Sequence, residues 1–221
     1  MGIIALLLIT LFCCVVSYIV GSFPFGLWVG QLWKGVDIRT LGSKNIGATN
    51  VLRVLGPGPG ALVFLLDTLK GCVGVALAYK LIPNAHFLVY IIVGFLGIAG
   101  HIFSIFLRFK GGKGVATSFG ALLALSYPMA LITLAAWVII LAVTRYVSVA
   151  ALSAGLILPF AAYFTVPPPG KIWMVGLSIA LCILVTVKHW ANILRLRNGT
   201  ESKIGQRVEI LAEETDSTEV N

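Results

Sequence analysis

Long apolar runs separated by short polar stretches fill the first 190 residues, and their lengths set the first expectation. Seven runs stand out, near residues 3–30, 60–80, 86–107, 115–127, 129–144, 149–166 and 172–190. About 20 apolar residues coiled as α-helix match the hydrocarbon thickness of a bilayer. Strict apolar–polar alternation, which barrel strands require, is absent. The pattern therefore predicts an all-α membrane protein with seven transmembrane helices. Pro24 falls within the first and longest run and predicts a kink there. The fourth and fifth runs are short and meet at Tyr127-Pro128, so one long broken span is the alternative. Pro167-Pro168-Pro169-Gly170 predicts a firm turn before the last run. A single polytopic domain over residues 1–205 follows, with an acidic tail at 206–221 predicted to be disordered.

Composition agrees. The chain of 221 residues is 59% hydrophobic and only 11% charged, against about 25% charged in a soluble domain. Its net charge is +8, yet only Asp37 and Asp67 are acidic before residue 200. With seven spans, thirteen of the sixteen cations fall on one side, Lys80 and Lys171 on the other, and Lys70 within a span. The positive-inside rule makes the rich side cytoplasmic, which puts the N-terminus outside and the C-terminus in the cytoplasm. No nucleic-acid motif accompanies the positive charge, so topology and anionic ligands explain it better. No obligate protein partner is evident. Asp67 and Lys70, three apart in an apolar helix, read as a structural pair rather than a proton relay.

Three polar clusters lie on the cation-rich side. The first runs from Asp37 to Arg53 and holds Ser43, Asn45, Thr49 and Asn50. Its hydroxyls and amides offer neutral hydrogen bonds, and Arg53 offers a fork that matches phosphate or carboxylate. Capping accounts for some of these residues. The second, Phe109-Lys110-Gly111-Gly112-Lys113-Gly114-Val115-Ala116-Thr117, follows Gly100-His101 by a few residues. Gly111, Gly112 and Gly114 can turn backbone N–H groups toward an anion, and Lys113 adds charge. The spacing is not that of a nucleotide-binding loop, so a bare phosphate or phosphate ester is the implied ligand. The plain alternative is a basic loop that only orients the chain. In the third, His189 and Asn192 share one face at the end of the last helix, near several cations. Tyr146-Val147-Ser148 supplies another hydroxyl. His86, His101 and His189 are spread out and carboxylates are few, so neither a metal nor another cofactor is expected. Polar clusters at one membrane edge without an internal repeat favour an enzyme over an anion or phosphate-ester transporter.

These segments, with Gly21-Ser22-Phe23-Pro24-Phe25-Gly26 and Thr200-Glu201, resemble the bacterial acyl-phosphate-dependent glycerol-3-phosphate acyltransferases over residues 15 to 203. The resemblance implies a multi-pass enzyme of the bacterial inner membrane with its site facing the cytoplasm. The implied reaction moves a fatty acyl group from acyl phosphate to the sn-1 hydroxyl of glycerol 3-phosphate. Lysophosphatidic acid and phosphate are then the products, in the first step of phospholipid synthesis. It implies catalytic roles for Ser43, Arg53, Lys113, His189 and Asn192. Asn45, Thr49, Asn50, Gly111, Gly112, Gly114 and Ser148 would bind substrate, and Glu201 would be structural. Lys44 stands where many relatives carry a small residue, and Ser104 where they usually carry proline.

The chemistry suits such a site. An acyl phosphate is already activated, so the protein's task is to bring two anions together and hold a hydroxyl near a carbonyl. No His here has an Asp five residues on, which removes the His-Asp base of other acyltransferases. A substrate phosphate oxygen is then the expected proton acceptor, with His189 the alternative.

Overall fold

The computed structural model describes residues 2–206. Of the tail expected at 206–221, residues 207–221 lie outside the described residues. Ten α-helices and no strand make up the regular structure among the described residues. They are α1 (Ile3–Gly21), α2 (Phe25–Lys34), α3 (Ala48–Leu55), α4 (Pro57–Leu81), α5 (Phe87–Ile102), α6 (Val115–Leu125), α7 (Tyr127–Thr144), α8 (Val147–Thr165), α9 (Lys171–Lys188) and α10 (Trp190–Arg197). A 3₁₀ turn at Ile105–Leu107 extends α5.

Among the described residues, six stretches are long and apolar enough to cross a membrane, against seven expected from the sequence. They are α1 with α2, α4, α5 with its 3₁₀ turn, α7, α8 and α9. The helix expected as the fourth span, α6, has 11 residues, about 16 Å of rise, which is half a bilayer. It ends at Ser126, where Pro128 in the first turn of α7 prevents continuation.

The expected break at Pro24 is present between α1 and α2. A helix interrupted inside a membrane strands backbone carbonyls that no water can reach. Two side chains supply the missing donors. Ser104 Oγ donates to Ser22 O at 2.5 Å. Lys70 Nζ donates to Phe23 O at 2.7 Å. Lys70 also pairs with Asp67 at 2.7 Å, with both side chains at most 3% exposed. The pair is therefore structural, and Ser104 does with a hydroxyl what a proline could not.

Glycines set how closely the helices pass. A Cβ on Gly71 of α4 would strike the Thr117 carbonyl of α6, and one on Gly120 would strike the Thr68 carbonyl. Bare backbone at these crossings presses α6 against α4, as small residues do in membrane bundles. In the same way Gly26 meets the Ile46 carbonyl, so its close packing is within the chain. The main core is formed by buried residues of α1, α4–α9 and includes Val75, Val93, Ile98, Ala121, Met129, Leu158 and Leu181.

Candidate active site

The three clusters and Ser148 meet at one end of the bundle, and hydrogen bonds between distant segments fix the meeting. Glu201, 7% exposed, is the hub. Its Oε1 accepts from Ser148 Oγ at 2.8 Å and from Asn192 Nδ2 at 2.6 Å. Its Oε2 accepts from Arg195 Nε at 2.8 Å. Asn192 turns its Oδ1 to the ammonium of Lys113. Arg53 reaches from α3 to Ser202 O at 3.1 Å, tying the first cluster to the third. Glu201 therefore organises the meeting, and Arg195, one of the cations that the sequence places near His189, joins it.

Asn50 works inside the first cluster. Its Oδ1 accepts from Ser43 N at 2.7 Å, while its Nδ2 donates to Ile38 O and Leu41 O at 3.0 Å each. It clamps the loop that carries Ser43. Asn45 Oδ1 accepts from Gly47 N at 2.8 Å and shapes the entry to α3. Ser43, Asn45, Thr49, Asn50 and Arg53 all line the central cavity. Arg53 Nε is buried there without a hydrogen-bond partner among the described residues.

The glycine loop divides its labour. The Gly111 N–H donates to Ile102 O and the Gly112 N–H to His101 O. Those two glycines do not line the cavity, whereas Lys113, Gly114, Val115 and Ala116 do. Gly114, with φ +81°, sits in the left-handed region and opens α6. The first turn of α6 has no intrahelical acceptors for its N–H groups. Beside Lys113, that turn brings to the cavity the kind of N–H donors that hold anions.

Electrostatics follow from burial. Lys113 is pushed down to about 8 by loss of water, aided by Arg195 and Arg53 and opposed by Glu201. Burial pushes the Glu201 carboxyl up, but the bonds from Asn192, Arg195 and Ser148 outweigh it and hold the carboxyl below its ordinary value. His189, just past the end of α9, is pushed down to about 4 by burial and by Lys113. Its Nδ1 lies 2.8 Å from Val185 O. A neutral ring must donate there, which leaves Nε2 as an acceptor, and His189 lines the cavity.

The cavity, about 390 Å³, does not end at the polar cluster. It continues between α4, α6, α7 and α8 along Phe119, Leu122, Leu134, Trp137, Gly155 and Leu158. From Ser148 to Leu158 the wall of α8 falls by about 15 Å. A cationic head joined to an apolar groove, inside a helical membrane bundle, suits the class of enzyme that handles molecules with a phosphate at one end and an apolar chain at the other.

Comparison with known proteins narrows this class. The family model described as "Glycerol-3-phosphate acyltransferase" matches residues 11–199. The glycerol-3-phosphate acyltransferase of Fusobacterium nucleatum is 42% identical over 193 residues, covering 87% of this chain and 97% of the relative. That of Brucella anthropi is 44% identical, with 87% and 92% covered. The crystal structure of PlsY (YgiH), an integral membrane glycerol 3-phosphate acyltransferase in its glycerol 3-phosphate form, superimposes with a TM-score of 0.79. It is 38% identical, over 89% of this chain and 96% of that one. The lysophosphatidic acid form gives 0.77 at 37% identity. The chain belongs to the glycerol-3-phosphate acyltransferase family.

Proposed function

We propose that this protein transfers a fatty acyl group from acyl phosphate to the sn-1 hydroxyl of glycerol 3-phosphate, giving lysophosphatidic acid and inorganic phosphate. The observation that carries the reading is one continuous cavity with two cationic anchors, Lys113 and Arg53, above an apolar groove. Two anchors suit two phosphates, and the groove suits one acyl chain.

In this mechanism the acyl phosphate sets its phosphate on Lys113 and the first turn of α6, with its chain in the groove. Glycerol 3-phosphate sets its own phosphate toward Arg53, among Ser43, Asn45 and Thr49. Neighbouring cations offset the repulsion between the two anions. His189 Nε2 accepts a hydrogen bond from the other glycerol hydroxyl and orients the acceptor, which leaves the proton of the attacking hydroxyl free for the phosphate. The hydroxyl oxygen attacks the acyl carbonyl, the C–O bond to phosphate breaks, and the hydroxyl proton passes to the departing phosphate as hydrogen phosphate. No protein base is needed, and a His189 ring held near 4 is a poor one at neutral pH.

Residues 1–205 act as one catalytic unit in the inner membrane of a bacterium, with the acidic tail outside it. The site faces the cytoplasm, the N-terminus lies outside, and α6 with α7 supplies the fourth and fifth of seven passages, α6 as a half-depth one. Transport of an anion or phosphate ester fits less well, because the polar groups gather at one end and the far end of the cavity is apolar.

The test measures phosphate release from palmitoyl phosphate by the purified protein, with and without glycerol 3-phosphate, alongside Lys113→Ala and with acyl-CoA as substitute donor. Release that needs both substrates, fails in the variant and ignores acyl-CoA supports the reading. No release from folded protein sinks it and directs attention to anion flux in liposomes.

A further inference from the structure

Beneath the glycine loop lies a cluster of ionisable groups that the mechanism above does not use. Asp67, Lys70 and His101 are 2%, 2% and 3% exposed. Polar groups this deep in a membrane bundle are expensive and persist where they do something. Asp67 and Lys70 are paired, and His101 Nδ1 stands 3.6 Å from Asp67 Oδ1. Lys70 in turn holds the Phe23 carbonyl at the α1–α2 break.

The other side of His101 faces the loop. Its carbonyl accepts the Gly112 N–H at 3.0 Å, and the neighbouring Ile102 carbonyl accepts the Gly111 N–H at 3.1 Å. The ring itself lies so close to Gly112 that a Cβ there would overlap Nε2. The loop therefore rests on His101 from below, through its ring and its backbone. Lys113 and Gly114 come directly after that support, so any shift in its height carries to the ammonium and to the first turn of α6. Asp67 and His101 also reach the cavity wall, so ring and loop border the same space as the substrate.

We propose that His101, seated against the Asp67–Lys70 pair, is a positioning residue that sets the glycine loop at the height the donor phosphate requires. This rests on the reading that the loop takes the phosphate of acyl phosphate. The role is selective. His101 supports Lys113 and α6, whereas the glycerol 3-phosphate anchor, Arg53, hangs from α3 and Ser202.

Steady-state kinetics of the purified full-length chain test it. His101→Ala is expected to raise KM for palmitoyl phosphate by about tenfold, the usual scale for losing a group that orients a ligand-binding residue. KM for glycerol 3-phosphate is expected to stay within about twofold, since that anchor is independent. Gly112→Ala alone should damage donor KM by pushing on the ring. His101→Ala combined with Gly112→Ala should be no worse than the poorer single variant, because removing the ring makes room for the methyl. If His101→Ala does not fold, His101→Asn, smaller but still polar toward Asp67, should show the same split. Equal rises in both KM values, an unchanged donor KM, or additive loss in the double variant would overturn the proposal. Lys113→Ala separates the two failures. A silent Lys113→Ala removes the phosphate reading of the loop and this inference with it. An impaired Lys113→Ala beside a silent His101→Ala removes this inference alone.

Discussion

Asn192 gives its amide hydrogen to Glu201 at 2.6 Å and its carbonyl oxygen to Lys113, so one neutral side chain stands between the site's carboxylate and its ammonium. A direct Glu201–Lys113 pair would neutralise the cation that a substrate phosphate needs. The interposed amide keeps Lys113 in place while leaving its charge unmatched. Asn192→Asp should defeat this arrangement. The new carboxylate would neutralise Lys113 and crowd Glu201, and donor KM should rise by about tenfold or more. Comparing Asn192→Asp with Asn192→Ala checks the point, because only the aspartate adds an opposing charge.

Lys113, held near 8, imposes a pH limb. Below that value it is an ammonium and attracts phosphate; above it the charge is lost. The ratio kcat/KM for the donor should therefore fall with rising pH from about 8, with the free enzyme setting the inflection. Lys113→Arg remains charged there and should flatten the limb, whatever its absolute rate. A pH profile of both forms decides, and an unchanged limb in the variant would assign it to another group.

Glu201→Gln keeps the shape of the hub and removes its charge. Arg195 loses its ion pair, and the bonds from Ser148 and Asn192 meet a weaker acceptor, at an expected cost of about 1–3 kcal/mol in stability. The native contribution has a defined window. Because the folded carboxyl is held below its ordinary value of 4.5, its stabilisation is complete above that value and is lost as pH falls through the folded one. Thermal unfolding of both proteins between pH 3 and 7 should show curves that differ at neutral pH and converge in acid. Glu201 also raises Lys113, so Glu201→Gln should move the alkaline limb of activity to lower pH.

His189, near 4, is neutral through the physiological range. Donor turnover should show no inflection between pH 5 and 7 attributable to imidazole ionisation. His189→Gln, which can still accept a hydrogen bond, should retain more activity than His189→Ala. An imidazole-type inflection that vanishes in both variants would instead make His189 the base.

The sequence revealed this site by type more readily than by geometry. The apolar runs gave helices at the right places, and Pro24 gave the break between α1 and α2. They could not give depth: residues 115–127 read as a span, and the helix is 11 residues long because Ser126 and Pro128 divide it from α7. Ser43, Arg53, Lys113, His189 and Asn192 all reach one cavity, yet Lys113 meets Asn192 across 79 residues and Ser148 meets Glu201 across 53, pairings no local pattern encodes. Gly111 and Gly112 read as anion donors. Their N–H groups bond to carbonyls of α5, and spacing alone does not say whether a glycine offers its N–H or its lack of a side chain. Asp67 and Lys70 were legible as a pair three apart, but the Phe23 carbonyl that Lys70 satisfies was not.

The groove gives the last expectation. Gly155 lies on its wall, about 10 Å below Ser148 along α8. Unlike the glycines at the α4–α6 crossing, it has room: a Cβ there would meet its nearest neighbour, Cys182, at 3.7 Å, ordinary van der Waals contact. A methyl can therefore occupy this point of the wall without forcing α8 and α9 apart. Gly155→Ala should leave the protein folded and narrow the space for the acyl chain. The kcat/KM ratio of dodecanoyl phosphate to palmitoyl phosphate should rise by about tenfold, since excess methylenes lose their apolar berth. The KM for glycerol 3-phosphate should not move, because the polar end is untouched. A ratio equal to that of the parent would mean that the chain leaves the groove above Gly155, and would place the length-determining wall at Phe119 and Trp137 instead.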